Sequence, residues 1–336
     1  MMNLLPLAPE RASRLVSAFP KAQVLVIGDA MLDTFLIGRV TRISPEAPVA
    51  VVAFERQTHR IGGAANVAHN ITALGGHATL IGVIGQDDNG NTLTRGCREA
   101  GIEAGFLAAD SDRVTTTKVR IVTERNQQVA RVDYESDTDI SGDAERGIIA
   151  SIRQNGAAAS AIVVSDYLKG CITRGVIAAA VDVAGERRIP LLVDPKIPHL
   201  DSYGGATVIT PNHHEAETAT HMRIRSSADA RIAARAFRDR ARCDAVLITL
   251  GDQGMWLLGP DTEGHLPASA REVADVTGAG DTVIATMGLA LAAGGTFAEA
   301  AQLANAAAGL VVAKFGAATV TPGELLGGMS VVAAEH

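Results

Sequence analysis

Short apolar runs, each stopping abruptly at polar residues, recur along this sequence. They read VLVIGD at 24–29, TLIGVIGQDD at 79–88, AIVVSDY at 161–167, PLLVDPK at 190–196, TVITPN at 207–212 and AVLITLGDQG at 245–254. Continuous apolar runs of this length suit strands covered on both faces, as in a parallel sheet. Between them lie Ala-rich segments at helical spacing, such as GVIAAAVDVAGERR (175–188) and ADARIAARAFRDRARC (228–243). Strand and helix alternate, so the pattern predicts a doubly wound α/β layer structure. Two segments differ: PVAVVAFERQTHRI (48–61) and VTTTKVRIVTERNQQVARVDYE (114–135) alternate apolar with polar, as half-buried strands do. The second turns back near 124–127. Together they predict a small antiparallel sheet outside the main one, a lid over 34–61 and 113–135 on a core of 1–33, 62–112 and 136–330. Its apolar outer face would need cover, which suggests a homodimer through the lid.

The topology locates a site. In open α/β sheets ligands bind beyond the carboxyl ends of the strands. Those ends carry Asp29 and Asp33, Asp166, Asp194 and Lys196, Asn212 and Glu215, and Gly251 with Gly254. Any one of these is as readily a turn residue. It is their convergence on one rim that predicts a site.

Composition narrows the function. With 336 residues, 47% hydrophobic and 20% charged, the chain is long and apolar enough for a sizeable core. A net charge of −7 and only 3% aromatic residues speak against a nucleic-acid binder. Cys97, Cys171 and Cys243 form no C-x-x-C pair, so neither a disulfide framework nor a zinc site is expected. The N-terminus lacks a signal-peptide pattern. The uncharged stretch 282–298 is too short and too weakly apolar for a membrane span and reads as one buried helix. A soluble cytoplasmic protein is the expectation.

There is no G-x-x-x-x-G-K-[ST] and no H-E-x-x-H, and no G-x-G-x-x-G follows the first strand, which disfavours a dehydrogenase. Two glycine-rich stretches remain. In DVTGAGDT (275–282), Gly278, Ala279 and Gly280 let backbone N–H groups approach a ligand. If a helix begins near Asp281, those groups lie at its positive end, where an anion is favoured. Asp281 then either caps the helix or takes a proton from a hydroxyl attacking a phosphate held in that cradle. In IGGAANVAHNITALGG (61–76), Gly62 and Gly63 allow close approach and Asn66 suits sugar hydroxyls, or the stretch is a turn entering a tightly packed helix.

GGAANVA and DVTGAGDT, in this order and at these ends, resemble the two signatures of the ribokinase-type (phosphofructokinase B) sugar kinases, and the likeness extends over nearly the whole chain. The resemblance implies a three-layer α/β/α fold with a mostly parallel central sheet and a β lid, and an ATP-dependent kinase using Mg²⁺, with a monovalent cation such as K⁺ as a further candidate. It implies Asp281 as catalytic base and Gly278, Ala279 and Gly280 as anion hole. Asn212 and Glu215 match an N-x-x-E motif that organises Mg²⁺, through water, and the ATP phosphates, with His213 and His214 between them. Gly251 and Gly254 would cover the nucleotide, with Asn305 beside the adenine. Asp33, Gly62, Gly63 and Asn66 would hold the sugar.

Within the family, GDAMLD (28–33), TRISPEAPVAVV (41–52) and SDYLKG (165–170) resemble the heptose 7-phosphate kinases of lipopolysaccharide core synthesis. That implies phosphorylation of the anomeric hydroxyl of D-glycero-β-D-manno-heptose 7-phosphate to the 1,7-bisphosphate. The alternatives are another kinase of the family, acting on ribose, a ketohexose phosphate or a nucleoside, or a non-catalytic nucleotide sensor. A phosphorylated sugar requires cations; Arg42, Arg120 and Lys196 are favoured among the basic residues, although Lys and Arg on lid strands also protect sheet edges. Many relatives fuse a nucleotidyltransferase bearing H-x-G-H. None occurs here, so adenylyl transfer is expected on a separate chain.

Overall fold

The computed structural model describes residues 4, 6–125, 127–269, 273–314 and 316–334. In chain order, α1 (Pro9–Ala18) precedes β1 (Gln23–Gly28), and a first excursion of β2 (Ala30–Ile43) and β3 (Ala50–Gly63) leads straight into α2 (Ala64–Ala73). Then come β4 (His77–Gly85), α3 (Asp88–Glu99) and β5 (Glu103–Asp110), and a second excursion, β6 (Thr117–Thr123) and β7 (Gln128–Tyr134). The chain continues through α4 (Gly142–Gly156), β8 (Ala161–Ser165), α5 (Arg174–Arg187), β9 (Leu191–Asp194), β10 (Val208–Ile209), α6 (His213–Thr220) and α7 (Ser227–Ala241). It ends with β11 (Ala245–Thr249), β12 (Met255–Leu258), β13 (Glu263–Leu266), α8 (Ala279–Ala292), α9 (Phe297–Val311) and α10 (Pro322–Ala334).

Nine strands form the central sheet in the order β13-β12-β11-β10-β9-β8-β1-β4-β5. Its pairings are parallel except for β11–β12 and β12–β13. Alternate residues of one strand enter opposite cores. Val24 and Val26 face the layer of α1, α2, α8 and α9, whereas Leu25 and Ile27 face α4, α5 and α7. Each such side chain, fully buried, contributes about 1.5–3 kcal/mol. Both-sided burial is why these strands read as unbroken apolar runs.

The lid is a separate four-stranded sheet, β3-β2-β6-β7. It departs from the expected antiparallel sheet, because β2 pairs with β6 in parallel. β2 also escapes the alternation test: from Ala30 to Leu32 both faces are buried, and the strand only later emerges to solvent. The expected single helix over 282–298 is two. α8 stops at Ala292, Gly294 takes φ +79°, and Thr296 starts α9 with a capping box to Glu299. Arg11 of α1 bonds the same carboxylate at 2.7 Å and holds it well below the usual range, at about 2. Among the described residues no helix is long and apolar enough to cross a membrane.

Candidate active site

The helix α8 starts where only glycine is comfortable. Gly278, its N-cap, has φ +80°, and a Cβ there would lie 2.8 Å from Asn66 Nδ2. Asp281 is therefore the third residue of the helix rather than its first. Its side chain makes no cap, because both carboxylate oxygens are held by other elements. Asn66 Nδ2 donates to Oδ2 at 2.7 Å and the Tyr167 hydroxyl donates to Oδ1 at 2.7 Å. Asp281 is 5% exposed. Burial pushes its pKa up to about 6, against the two donors and Lys196, which favour the charged form, and with Asp33, which opposes it.

Beside this carboxylate the helix N-terminus offers its amides. A Cβ on Gly280 would meet nothing within 4 Å, so the space over the first turn is open. The Ala279 N–H is directed at Val276 O, 3.2 Å away. Open space over a helix N-terminus suits an anion.

The partner Asn66 is placed by the same device on α2. Gly63, at φ +57°, is the N-cap, and Asn66 is the third residue. Its Oδ1 is buried without a hydrogen-bond partner, which leaves one acceptor beside Asp281 unsatisfied. Gly62 is required on different grounds: a Cβ would sit 2.5 Å from Asp33 Oδ2. Asp33, on β2, is ion-paired with Arg120 of β6, whose guanidinium also lies 5.5 Å from the centre of the Phe35 ring.

Tyr167 stands in a turn that Asp29 ties down. The Asp29 carboxylate accepts backbone N–H bonds from Tyr167 (2.8 Å), Lys169 (3.1 Å) and Cys171 (3.0 Å), while Leu168 adopts φ +55°. Asp166 accepts from the Tyr203 hydroxyl and lies 2.6 Å from His199 Nδ1. These two strand-end aspartates therefore build the turn. Lys196 reaches over the Tyr167 ring, 5.7 Å from its centre, and pairs with Glu215. Burial alone would lower the Lys196 pKa, but Glu215 and the neighbouring carboxylates raise it on balance. Burial drives the Asp194 carboxyl well above the usual range, and Asp281 adds to it.

At the ends of β10 and β11, Asn212 caps α6 and exchanges reciprocal 3.0 Å bonds with Glu215. His213 and His214 pack ring against ring at 3.8 Å, with His214 exposed beside Glu217. Asn212 bridges to Thr249 at the end of β11. There Gly251 (φ +63°) and Gly254 (φ +87°) bracket a tight turn; a Gly254 Cβ would be 2.0 Å from Leu266 O. Asn305 Nδ2 donates to the next carbonyl, that of Pro267, at 2.8 Å. Among the described residues no group of three His, Cys, Asp or Glu could cage a metal.

The structure thus joins Asn66, Asp281, Tyr167, Lys196, Glu215 and Asn212 into one chain of contacts, with Asp33, Gly62 and Arg120 beside it. Arg42 is not brought there. It is exposed, nine residues beyond Asp33 on β2, or roughly 30 Å along the strand. Tyr167 is the residue missed from the sequence, and SDYLKG was the available signal. A cavity of about 830 Å³, lined by Arg188, Pro190, Thr207 and Phe297, lies at the opposite ends of the strands and holds none of these groups.

A family model described as pfkB family carbohydrate kinase matches residues 21–323. The chain belongs to that family. Among pfkB relatives, the bifunctional protein HldE of Geobacter metallireducens is 46% identical over 306 residues, 91% of this chain and 62% of its own length. That of Caulobacter vibrioides is 48% identical over 317 residues, 93% and 64% respectively. The chain spans about three fifths of the length of these relatives. The fold is that of Arabidopsis thaliana ribokinase complexed with ribose and ATP (TM-score 0.72, 19% identity, 92% and 98% of the two chains). It is equally that of Escherichia coli phosphofructokinase-2 in complex with potassium (TM-score 0.76, 19% identity, 93% and 99%).

Proposed function

We propose that this chain transfers the γ-phosphoryl group of ATP to the anomeric hydroxyl of D-glycero-β-D-manno-heptose 7-phosphate, giving the 1,7-bisphosphate. The observation that carries the kinase chemistry is Asp281, buried at the N-terminus of α8 with a donor on each oxygen. Family membership and the identity to HldE proteins support the substrate. ATP supplies the phosphoryl group and Mg²⁺ offsets the charge of its phosphates. Asn66 Oδ1 and Asp33 hold sugar hydroxyls, so the anomeric hydroxyl faces Asp281. Asp281 accepts its proton as the oxygen attacks. The start of α8 over Gly278–Gly280 stabilises the transferring charge. Asn212, Glu215 and Lys196 align the phosphates, and Gly251, Gly254 and Asn305 border the nucleotide.

The test is a phosphate-transfer assay over heptose 7-phosphate, unphosphorylated heptose, ribose, fructose 6-phosphate and nucleosides, with the product's new phosphate located by NMR. Preference for ribose or a nucleoside would replace the heptose reading. Asp281→Asn should lower kcat about 10²- to 10⁴-fold while ATP binding survives. Near-normal turnover would remove the base assignment. Running the assay with and without K⁺ tests the monovalent cation. ATP and a sugar phosphate as reactants argue for a cytoplasmic location, and the exposed apolar lid residues Phe54, Val132 and Tyr134 argue for a homodimer.

A further inference from the structure

The register of the lid sheet sorts its side chains. Asp33 lies opposite Arg60 on β3 and Lys118 on β6, and Lys118 lies opposite Asp133 on β7. Residues directly opposite share a face, and so do residues two apart on one strand. The next row outward is Thr58, Phe35, Arg120 and Arg131, and beyond it Arg56 stands opposite Ile37. The face that carries Asp33 therefore holds Arg56, Arg60, Lys118, Arg120 and Arg131 against two carboxylates, Asp33 and Asp133. The reverse face presents Thr34, His59, Val119, Val132 and Tyr134 and carries no lysine or arginine over the same rows. Edge protection would not sort cations in this way. In a chain of net charge −7, the sorting marks a surface facing an anion.

Two further observations point to a ligand there. Asp133 Oδ1 is buried with no hydrogen-bond partner, while its Oδ2 takes Arg131 Nη2 at 2.9 Å. Arg131 is about half exposed, at 48%, so its fork can swing to a ligand. The row of Asp33 is the one nearest Asp281, and the row of Arg120 and Arg131 lies about 7 Å further out along the strands. That spacing suits a sugar whose reacting hydroxyl and phosphate sit at opposite ends.

We propose that Arg120 and Arg131 form the subsite for the phosphate monoester at the far end of the sugar, with the free oxygen of Asp133 accepting a hydroxyl between. This subsite rests on the sugar-phosphate reading above and replaces Arg42 and Lys196 as the phosphate's partners. Lys196 follows β9 in the core and pairs with Glu215, whereas Arg120, paired with Asp33, stands on the lid directly opposite Arg131. A planar guanidinium grips a phosphate in a bidentate way that an ammonium does not.

The test compares initial rates for wild type, Arg131→Gln and Arg131→Lys on heptose 7-phosphate and on unphosphorylated heptose. The quantity read is the ratio of kcat/KM for the two sugars. Loss of one charge-assisted contact should lower that ratio about 10- to 100-fold in Arg131→Gln, chiefly through KM for the phosphorylated sugar, with partial recovery in Arg131→Lys. If wild type prefers the phosphorylated sugar and neither Arg131→Gln nor the Arg120→Gln/Arg131→Gln pair changes the ratio, the subsite is wrong and the kinase reading stands. If wild type shows no preference for the phosphorylated sugar, the substrate reading falls and the subsite falls with it.

Discussion

Asp281 is the proposed base, and its surroundings give it a pH signature. Only the carboxylate can accept a proton. With its pKa raised to about 6 by burial, kcat/KM should be level above that pH and fall as pH drops through it, well above the range of an ordinary aspartate. The Tyr167 hydroxyl favours the charged form, so Tyr167→Phe should move the acid limb upward, by about one pH unit. A pH–rate profile measures both. A limb that stays in place in Tyr167→Phe would show that the phenol does not act on the base. Asp281 was legible in the sequence, because its motif is local. Its contact with Tyr167 was not: SDYLKG marks the tyrosine, but joining residues 114 positions apart takes the fold. Asp29 and Asp166 show the converse: both look like site residues by position, yet their carboxylates serve a turn and a buried Tyr203.

The start of α8 makes an element-level argument through two glycines that look alike in sequence. Gly278 needs its positive φ and has Asn66 against it. Gly278→Ala should cost about 1–2 kcal/mol of stability and dislodge the amide that holds the base. Gly280 lies within the helix with empty space beside it, so Gly280→Ala should fold at least as stably as wild type yet lose phosphoryl transfer, because the methyl group occupies the anion's place. Thermal unfolding beside kinetics separates the two; equal stability losses in both would contradict this account. The parallel strands were readable because burial on both faces leaves an unbroken apolar run. β10, with two residues, and the antiparallel pair β12 and β13 carry too little periodicity to announce their direction. The break between α8 and α9 lies in a few residues, Gly294, Gly295 and the capping box of Thr296 with Glu299, within an otherwise uncharged run.

At the scale of the molecule, the lid's reverse face poses the question of assembly. Tyr134 is 52% exposed and Val132, two residues before it on β7, 45%, while Phe54 on the other edge strand is 65% exposed; exposed apolar surface marks contact surfaces. Phe54→Asp should shift sedimentation from dimer to monomer; a wild type that sediments as a monomer would remove the dimer proposal.

The parallel pairing of β2 with β6 has a consequence for how the enzyme is built and lost. β2 leaves the core directly after β1, but its partner arrives only after α2, β4, α3 and β5 have been laid down. Contacts between distant segments form late, because the intervening loop must first be closed. The half of the proposed sugar site carried by the lid should thus be the last part to assemble and the first to come undone on heating. Enzyme activity is expected to disappear at a lower temperature than the far-UV circular dichroism of the nine-stranded core. Coincident loss of both would mean that lid and core melt as one cooperative unit.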